Sequence, residues 1–311
     1  MKRRVAARLP ADAAGKTLLE YLSSRFAYHS PDEWYSKICS GEIALNNAIV
    51  SDPQTPLQGN MQLEYFPGQL VEPAVNSNYR IVFEDDYLLV IDKPGNLPVH
   101  PAGPYFSNTL WALLAESGYG KVHLVNRLDR ETSGLLIAAK QSSVAGSISK
   151  SLTEMEKCYY VLVHGKFEHE CNVKGFLTAD TGSPIKKKQK FIFEDPGDTE
   201  KAVSAETLFT PLQSNDKFTL LTAALRTGRM HQIRATLHGL GYPVAGDKLY
   251  GLDEQFYRRF ALDTLSKEDK EALILDRQAL HCCKLSFVHP VSGEILSFQS
   301  DLPPEIADLL Q

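Results

Sequence analysis

The segment His123-Leu-Val-Asn-Arg-Leu-Asp-Arg-Glu-Thr-Ser-Gly134 runs without a break into Leu135-Leu-Ile-Ala-Ala139, setting a dense polar turn against an apolar stretch. Gly134 to Ala139 is apolar on both pleat faces, the pattern of an interior strand covered from both sides. Asp129 stands between Arg127 and Arg130 in the turn that feeds this strand. Neighbouring cations favour the charged form of a carboxylate. An ionised, positioned aspartate suits a nucleophile or a general base. The same residues also suit a plainer role, an Asp that caps a turn beside a local Arg, with Thr132-Ser133-Gly134 as ordinary turn chemistry. On this segment alone both readings stand.

Working outward toward the carboxyl end, a helix is expected at Val144 to Leu152, followed by the strand-like Lys157-Cys-Tyr-Tyr-Val-Leu-Val-His-Gly165. On a strand Lys157, Tyr159, Val161 and Val163 share one face, which places Tyr159 beside Lys157 at the open end of an otherwise apolar surface. A tyrosine with a buried ring and a wet hydroxyl would look the same. Strands at Ala202 to Phe209 and Phe218 to Leu225 have no helix between them and should pair antiparallel. Next comes Leu225-Arg-Thr-Gly-Arg-Met-His-Gln-Ile-Arg-Ala-Thr-Leu-His-Gly-Leu240. The spacing predicts a helix after Thr227-Gly228 with an apolar stripe of Met230, Ile233, Leu237 and Leu240. His231, Arg234 and His238 form a second stripe, about 100° round per residue step. Arg234 then lies at the edge of the buried face, where it could meet a carboxylate in a bidentate pair. His231 and His238 are seven apart, outside the i,i+4 geometry of helical zinc sites, and read as a solvated face.

Toward the amino end, Ile81-Val-Phe83 and Tyr87 to Asp92 are strands split by an acidic turn, and Lys93-Pro94-Gly95 ends the second. Residues 79–311 therefore predict an α+β domain on a mixed, largely antiparallel sheet with flanking helices, not a doubly wound parallel one. Residues 1–70 read as a separate small module. Leu18, Leu19, Leu22 and Phe26 recur at helical spacing. Ser30-Pro31-Asp32-Glu33 starts a second helix whose apolar side would be Trp34, Tyr35 and Ile38. Ile43 to Val50 reads as a hairpin around Asn46-Asn47, and Leu57 to Tyr65 as a turn and a closing strand. Residues 71–78, rich in polar turn formers, are the expected linker.

With 311 residues, 43% hydrophobic and 23% charged, the chain is neither disordered nor collagen-like nor a coiled-coil rod. Lys plus Arg is 33 against 38 Asp plus Glu, a net charge of -5. Bulk charge thus argues against nucleic acid, yet phosphate affinity depends on where cations sit. The one dense cluster is Lys186-Lys187-Lys188-Gln189-Lys190, which either follows a phosphate backbone or forms a solvated loop. Five cysteines, an odd number without a C-x-x-C pair, argue against a disulfide framework. Cys39, Cys282 and Cys283 read as buried small apolar residues. No apolar run approaches the roughly 18 residues of a membrane span, and Met1-Lys-Arg-Arg lacks a following apolar stretch. A reduced, cytoplasmic, soluble protein is expected. Dinucleotide, Walker, zincin and nucleophile-elbow motifs are all missing.

Taken together, N-R-L-D-x-x-T-S-G-L, then K-x-Y-x-x-x-V-x-G, then T-G-R-x-H-Q-I-R with G-Y-P-V-x-G-D-x-x-Y-G (Gly241 to Gly251) resemble the pseudouridine synthases of the RluA family. Lys93 to Pro101, Ala279-Leu-His281, Phe287 to Pro290 and Leu302-Pro-Pro304 fit the same family. The small module resembles the ribosomal protein S-four-type (αL) RNA-binding domain through Gly41 to Asn47 and Leu57-Gln-Gly59. The resemblance implies a pseudouridine-synthase fold plus a small αL-type domain. It implies isomerisation of uridine in ribosomal or transfer RNA to pseudouridine after base flipping, with no cofactor and no metal. It makes Asp129 the catalytic aspartate and Arg234 its salt-bridge partner. Tyr159 would pack against the flipped uracil, Arg127 would fill the vacated space or bind a phosphate, and Ile233 would form pocket wall. Lys186, Lys187, Lys188 and Lys190 would contact RNA. RNA is the expected partner, with no membrane and a monomeric chain. Two rivals are a non-catalytic RNA-binding protein that retains the pocket and a nucleoside hydrolase. The second would need an acid pair or a metal to activate water.

Overall fold

The computed structural model describes residues 4–26, 29–66, 72–151, 154–197 and 201–311. The chain divides into two units, Met1–Glu72 and Pro73–Gln311.

In the first unit, local capping sets the helix starts. α1 (Leu18–Arg25) and α2 (Pro31–Cys39) each open with a capping box. The Thr17 and Ser30 hydroxyls accept from the amides of Glu20 and Glu33, whose carboxylates accept from the Thr17 and Ser30 amides. Leu18, Leu22, Trp34 and Ile38 are buried against an antiparallel sheet. Its strands are β1 (Val5–Arg8), β2 (Ile43–Leu45), β3 (Ala48–Val50) and β4 (Gln62–Tyr65), in the order β1-β4-β2-β3. The β2–β3 turn is Asn46-Asn47, both in the left-handed region at φ 50° and 67°, as a two-residue hairpin of this twist requires. β1 has no alternating pattern of its own and is held by its register with β4. Two expectations need correction. Tyr35 is exposed because, one residue after Trp34, it points about 100° away round the helix. Cys39 is exposed at the end of α2, where Ile38 takes the buried position.

Between the units, residues 67–71 lie outside the described residues, and with them position 71 of the expected linker. The second unit begins with β5 (Arg80–Glu84), β6 (Leu88–Lys93), α3 (Leu110–Leu114), β7 (His123–Leu124), β8 (Ser133–Ala139) and α4 (Ser142–Lys150). β9 (Glu156–His164), β10 (Cys171–Ala179), β11 (Gln189–Ile192), β12 (Val203–Ser214) and β13 (Phe218–Leu225) follow. The chain closes with α5 (Gln232–Gly239), α6 (Gln255–Ala261), α7 (Lys267–Leu273), β14 (Leu280–Val288), β15 (Ile295–Gln299) and α8 (Pro304–Ala307). Leu152, the expected end of α4, lies outside the described residues.

The sheet order is β11-β10-β12-β13-β9-β14-β8-β6-β5, with β15 on β14 and β7 on β8. Among the described residues every pairing is antiparallel except β8 with β14. All seven residues of β8 are buried, the reason its sequence is apolar on both faces. Gly134 has φ 106°, and a side chain there would run into the Cys282 backbone, so only glycine lets β14 lie this close. The joint is reinforced by a buried chain. The Ser133 hydroxyl is 2.9 Å from His281 Nδ1, His281 Nε2 is 3.0 Å from the Ser300 hydroxyl, and that hydroxyl donates to Asp92 at 2.8 Å. β12 and β13 pair antiparallel as expected, with a bulge between Pro211 and Gln213. No helix among the described residues is long and apolar enough to cross a membrane.

α5 starts at Gln232, later than its periodicity suggested. Residues 227–231 form a loop fastened by Gln232, whose side-chain oxygen accepts from the Thr227 hydroxyl at 2.8 Å and the Arg229 amide at 3.0 Å. Met230 therefore sits on an exposed loop and drops out of the apolar stripe.

Candidate active site

Asp129 occupies the turn before β8, and its carbonyl accepts from the Thr132 amide at 3.1 Å. The loop is pinned from several sides. The Lys93 ammonium, fully buried, donates to the carbonyls of Pro94 at 2.8 Å and Arg130 at 3.3 Å. Gln278 donates to the Thr132 hydroxyl at 2.5 Å, and the Ile137 amide donates to the Asn126 side chain at 2.8 Å. Neither flanking arginine pairs with Asp129. Arg130 turns to Glu131 and the Tyr105 hydroxyl, and Arg127 is exposed.

The cation that does meet Asp129 comes from α5. Arg234 Nη1 donates to Asp129 Oδ2 at 2.7 Å. Its other edge forms the bidentate pair, and the partner there is Asp247, with Nε to Oδ2 at 2.6 Å and Nη2 to Oδ1 at 2.8 Å. Asp247 Oδ1 also accepts from the Leu249 and Tyr250 amides at 2.9 Å each. The Arg234 guanidinium lies over the Tyr250 ring, 4.9 Å from its centroid. Asp247 thus fixes the plane of Arg234, and Arg234 presents its remaining edge to Asp129. The sequence reading found one carboxylate for Arg234 where there are two. Asp247 carried no local signal beyond its place in the Gly241 to Gly251 motif.

Burial alone would push the Asp129 carboxyl up, but the charge of Arg234, together with side-chain hydrogen bonds from Arg234 and Gln278, helps to hold it below its ordinary value. Asp247 is likewise held down by Arg234 against the effect of its own burial. The Arg234 side chain is 8% exposed and that of Asp129 31%. The cation is sealed in, while the carboxylate keeps an open side.

His231, read as solvated, is a second correction. Its side chain is 8% exposed, with Nε2 3.8 Å from Asp129 Oδ1 and Nδ1 2.9 Å from the Tyr250 hydroxyl. It caps α5 with φ 57°, a conformation that turns its side chain inward from the loop. Burial holds its pKa down to about 4, so the imidazole is neutral near pH 7. His238 is on the exposed side of α5.

Tyr159 is buried on β9, opposite Cys282 of β14 and Ala223 of β13. Burial and then Cys282 push its hydroxyl well above the ordinary tyrosine value, with a further contribution from the Asp129 charge. Ile233 is buried beside Arg234 on α5. Lys186, Lys187 and Lys190 are exposed around the β10–β11 connection, with Lys187 4.3 Å from the Tyr257 ring centroid. Lys188 departs from the expected cluster. It is buried and donates to Glu254 at 2.7 Å, with Asp180 at 3.7 Å. It is a structural ion pair, because the turn that exposes its neighbours folds this side chain back onto the start of α6. A separate cleft of about 940 Å³ is lined by residues including Lys93, Arg130, Ser133, Lys248 and His281. Asp129, Arg234 and Tyr159 do not line it.

Residues 87–239 match the RNA pseudouridylate synthase family. A ribosomal large subunit pseudouridine synthase D of Nitrosomonas europaea is 36% identical over 240 residues, 75% of this chain and 64% of that protein's length. One of the same description from Zymomonas mobilis is 29% identical over 96% of this chain and 94% of its own. An uncharacterised RNA pseudouridine synthase of Bacillus subtilis is 32% identical over 74% of this chain and 71% of its own. Among solved structures, human RNA pseudouridylate synthase domain containing 1 superposes with a TM-score of 0.57 at 22% identity. That comparison covers 76% of this chain and 89% of the human one, and shares the fold.

Proposed function

The chain belongs to the RNA pseudouridine synthase family, enzymes that isomerise uridine within RNA, and on that premise we propose that Asp129 is its catalytic carboxylate and large-subunit ribosomal RNA its substrate. The observation that carries the assignment is the Asp129–Arg234 contact of 2.7 Å, with the arginine sealed and the carboxylate open. The reaction breaks the C1′–N1 bond, turns the uracil, and forms a C1′–C5 bond. The C5 proton leaves and N1 takes one up, so the composition of the nucleotide is unchanged. An ionised Asp129 supplies the negative charge that both available routes require, attack on C1′ or removal of the 2′ proton. Arg234 keeps that charge in place without being reachable by solvent or substrate.

A stacked uridine must first leave its helix, at a cost of a few kcal/mol. Tyr159 packs against the flipped uracil, and its raised pKa makes it a protonated phenol at rest. Ile233 contributes apolar wall. Arg127, exposed two residues before Asp129, fills the vacated stack or binds a phosphate. Lys186, Lys187 and Lys190 follow the RNA backbone. Residues 79–311 carry the reaction and residues 1–70 form an S-four-like RNA-binding module, a reading supported by two capped helices on a small antiparallel sheet. Ribosomal RNA is favoured over transfer RNA because the Nitrosomonas and Zymomonas relatives are named for the large ribosomal subunit.

The test is tritium release from RNA labelled at uridine C5, taken from cells lacking the gene. The parent enzyme and Asp129→Asn are run side by side, followed by mapping of the modified nucleotide. The parent should release tritium and the variant should not, while both bind RNA alike. Activity of Asp129→Asn within tenfold of the parent would remove the catalytic assignment. Modification confined to transfer RNA would correct the substrate.

A further inference from the structure

Asp129 has two oxygens, and Arg234 accounts for one of them. The other, Oδ1, faces His231 Nε2 at 3.8 Å, beyond hydrogen-bond length but at close electrostatic range. Which atom of the ring carries the proton decides whether this contact attracts or repels. The answer starts from Tyr250. Its hydroxyl oxygen accepts from the Gln189 amide at 2.7 Å and sits 2.9 Å from His231 Nδ1. The phenol oxygen can accept a second N–H or give its one proton, so the 2.9 Å contact admits Nδ1 as donor or acceptor, and the carboxylate facing Nε2 favours the arrangement in which Nδ1 accepts. With Tyr250 donating to Nδ1, the single proton of the neutral ring must be on Nε2, aimed at Asp129. The opposite tautomer would leave a bare nitrogen lone pair against a carboxylate. The charged groups around the ring are Asp129 from the catalytic turn, Arg234 from α5, Lys187 from the β10–β11 connection and Asp247 from the segment after α5. Among them the ring stays neutral because burial holds it down.

We propose that His231 is a positioning residue for Asp129: it presents Nε2–H to Oδ1 while Arg234 holds Oδ2, and Tyr250 fixes its tautomer by donating to Nδ1. Donors on both oxygens, with Gln278 as a further side-chain hydrogen-bond partner of the carboxylate, define its plane more fully than the arginine edge on one oxygen. The left-handed backbone of His231, φ 57°, is the local strain that brings the ring into this place. The relay starts at Gln189, the first residue of β11, inside the lysine cluster. The segment that carries the exposed lysines is thus tied by hydrogen bonds to the side chain that orients the aspartate. This inference rests on the function proposed above.

The test has a substrate-free arm and a kinetic arm, both on the full-length chain. Long-range proton–nitrogen NMR of the imidazoles reads the tautomer directly, with His231 assigned by the signal lost in His231→Asn. The expected result is the Nε2–H form in the parent, and loss of that preference in Tyr250→Phe, which keeps the ring over Arg234 and removes only the hydroxyl. An Nδ1–H form in the parent would overturn the proposal. In single-turnover assays His231→Asn tolerates the left-handed backbone and can accept from Tyr250 but has nothing at Nε2. Its kcat should fall several-fold, as expected for losing a polar N–H at close electrostatic range of the carboxylate, with KM unchanged. His231→Gln, which returns an N–H near Nε2, should recover part of the loss. A His231→Asn kcat within twofold of the parent, or a loss confined to KM, would also overturn it. No uridine isomerisation by the parent on any RNA would instead bring down the proposed function and this role with it. The tautomer, read without substrate, separates the two failures.

Discussion

Arg234 gives one edge of its guanidinium to Asp247 and a single N–H to Asp129, and the chemistry assigned to the site depends on that division. A lysine cannot divide itself so, because its ammonium is a point charge without a planar fork. Arg234→Lys should keep the fold and lower kcat at least tenfold, measured by single-turnover kinetics on uridine-labelled RNA. Full activity would mean that charge alone suffices. Asp247→Ala should act differently. It leaves a buried guanidinium half compensated, which costs about 3 kcal/mol. The urea midpoint of the whole chain should fall accordingly, and an unchanged midpoint would remove Asp247 as the structural half of the triad. From sequence, Asp129 and Arg234 were legible as candidates because each sits in a polar break beside an apolar run. Asp247 and His231 were not. Their roles come from residues 13 to 102 positions away, and no local spacing encodes that.

At the scale of elements, α2 began where its Ser30 cap and Pro31 said it would, whereas α5 did not. α1 and α2 carry their start signals within four residues. The start of α5 is set by the Gln232 side chain holding residues 227 and 229, and by the Glu206 amide donating to the Thr227 hydroxyl at 2.9 Å. Periodicity ran the apolar stripe back to Met230 because it cannot see a tertiary contact. The β8–β14 joint gives the sharpest test at this scale. Gly134→Ala places a methyl against the Cys282 backbone at a φ of 106°, and backbone cannot move aside as a flexible side chain can. Stability should drop by about 3 kcal/mol, read by denaturant unfolding with circular dichroism. A loss below about 1 kcal/mol would show that β14 can shift without cost.

For the whole molecule, a net charge of -5 coexists with exposed lysines around the β10–β11 connection, so RNA affinity should depend on their placement. Replacing Lys186, Lys187 and Lys190 together by Gln should reduce the slope of log affinity against log salt by about two to three. Lys188→Gln should instead lower stability and leave the slope nearly unchanged, because that cation is committed to Glu254. An equal change of slope for Lys188→Gln would return it to the RNA-binding set. Two histidines make the fold sensitive to acid. His231 and His281 are held by burial at about 4, against 6.5 when unfolded. A depressed folded-state pKa means the contribution is complete above about 6.5 and lost as pH falls toward 4, on the order of 3 kcal/mol for each ring. Thermal unfolding between pH 7 and 4 should show Tm falling across that window, and the fall should shrink in His281→Asn if His281 is one of its sources.

The sequence by itself determined the alternation of apolar strands and polar turns, the Ser30-capped helix of the small module and the largely antiparallel α+β sheet. These are properties of neighbours along the chain, fixed by period, capping and side-chain chemistry, whereas Asp129, Tyr159 and Arg234 became the residues to watch through the family resemblance of their three motifs. Tertiary structure alone decided which carboxylate takes the bidentate edge of Arg234, that His231 turns inward onto Asp129, and that Lys188 closes an ion pair while its neighbours face solvent. Each depends on which distant groups share a desolvated space, because there an unpaired charge is costly and every buried polar atom must find its partner.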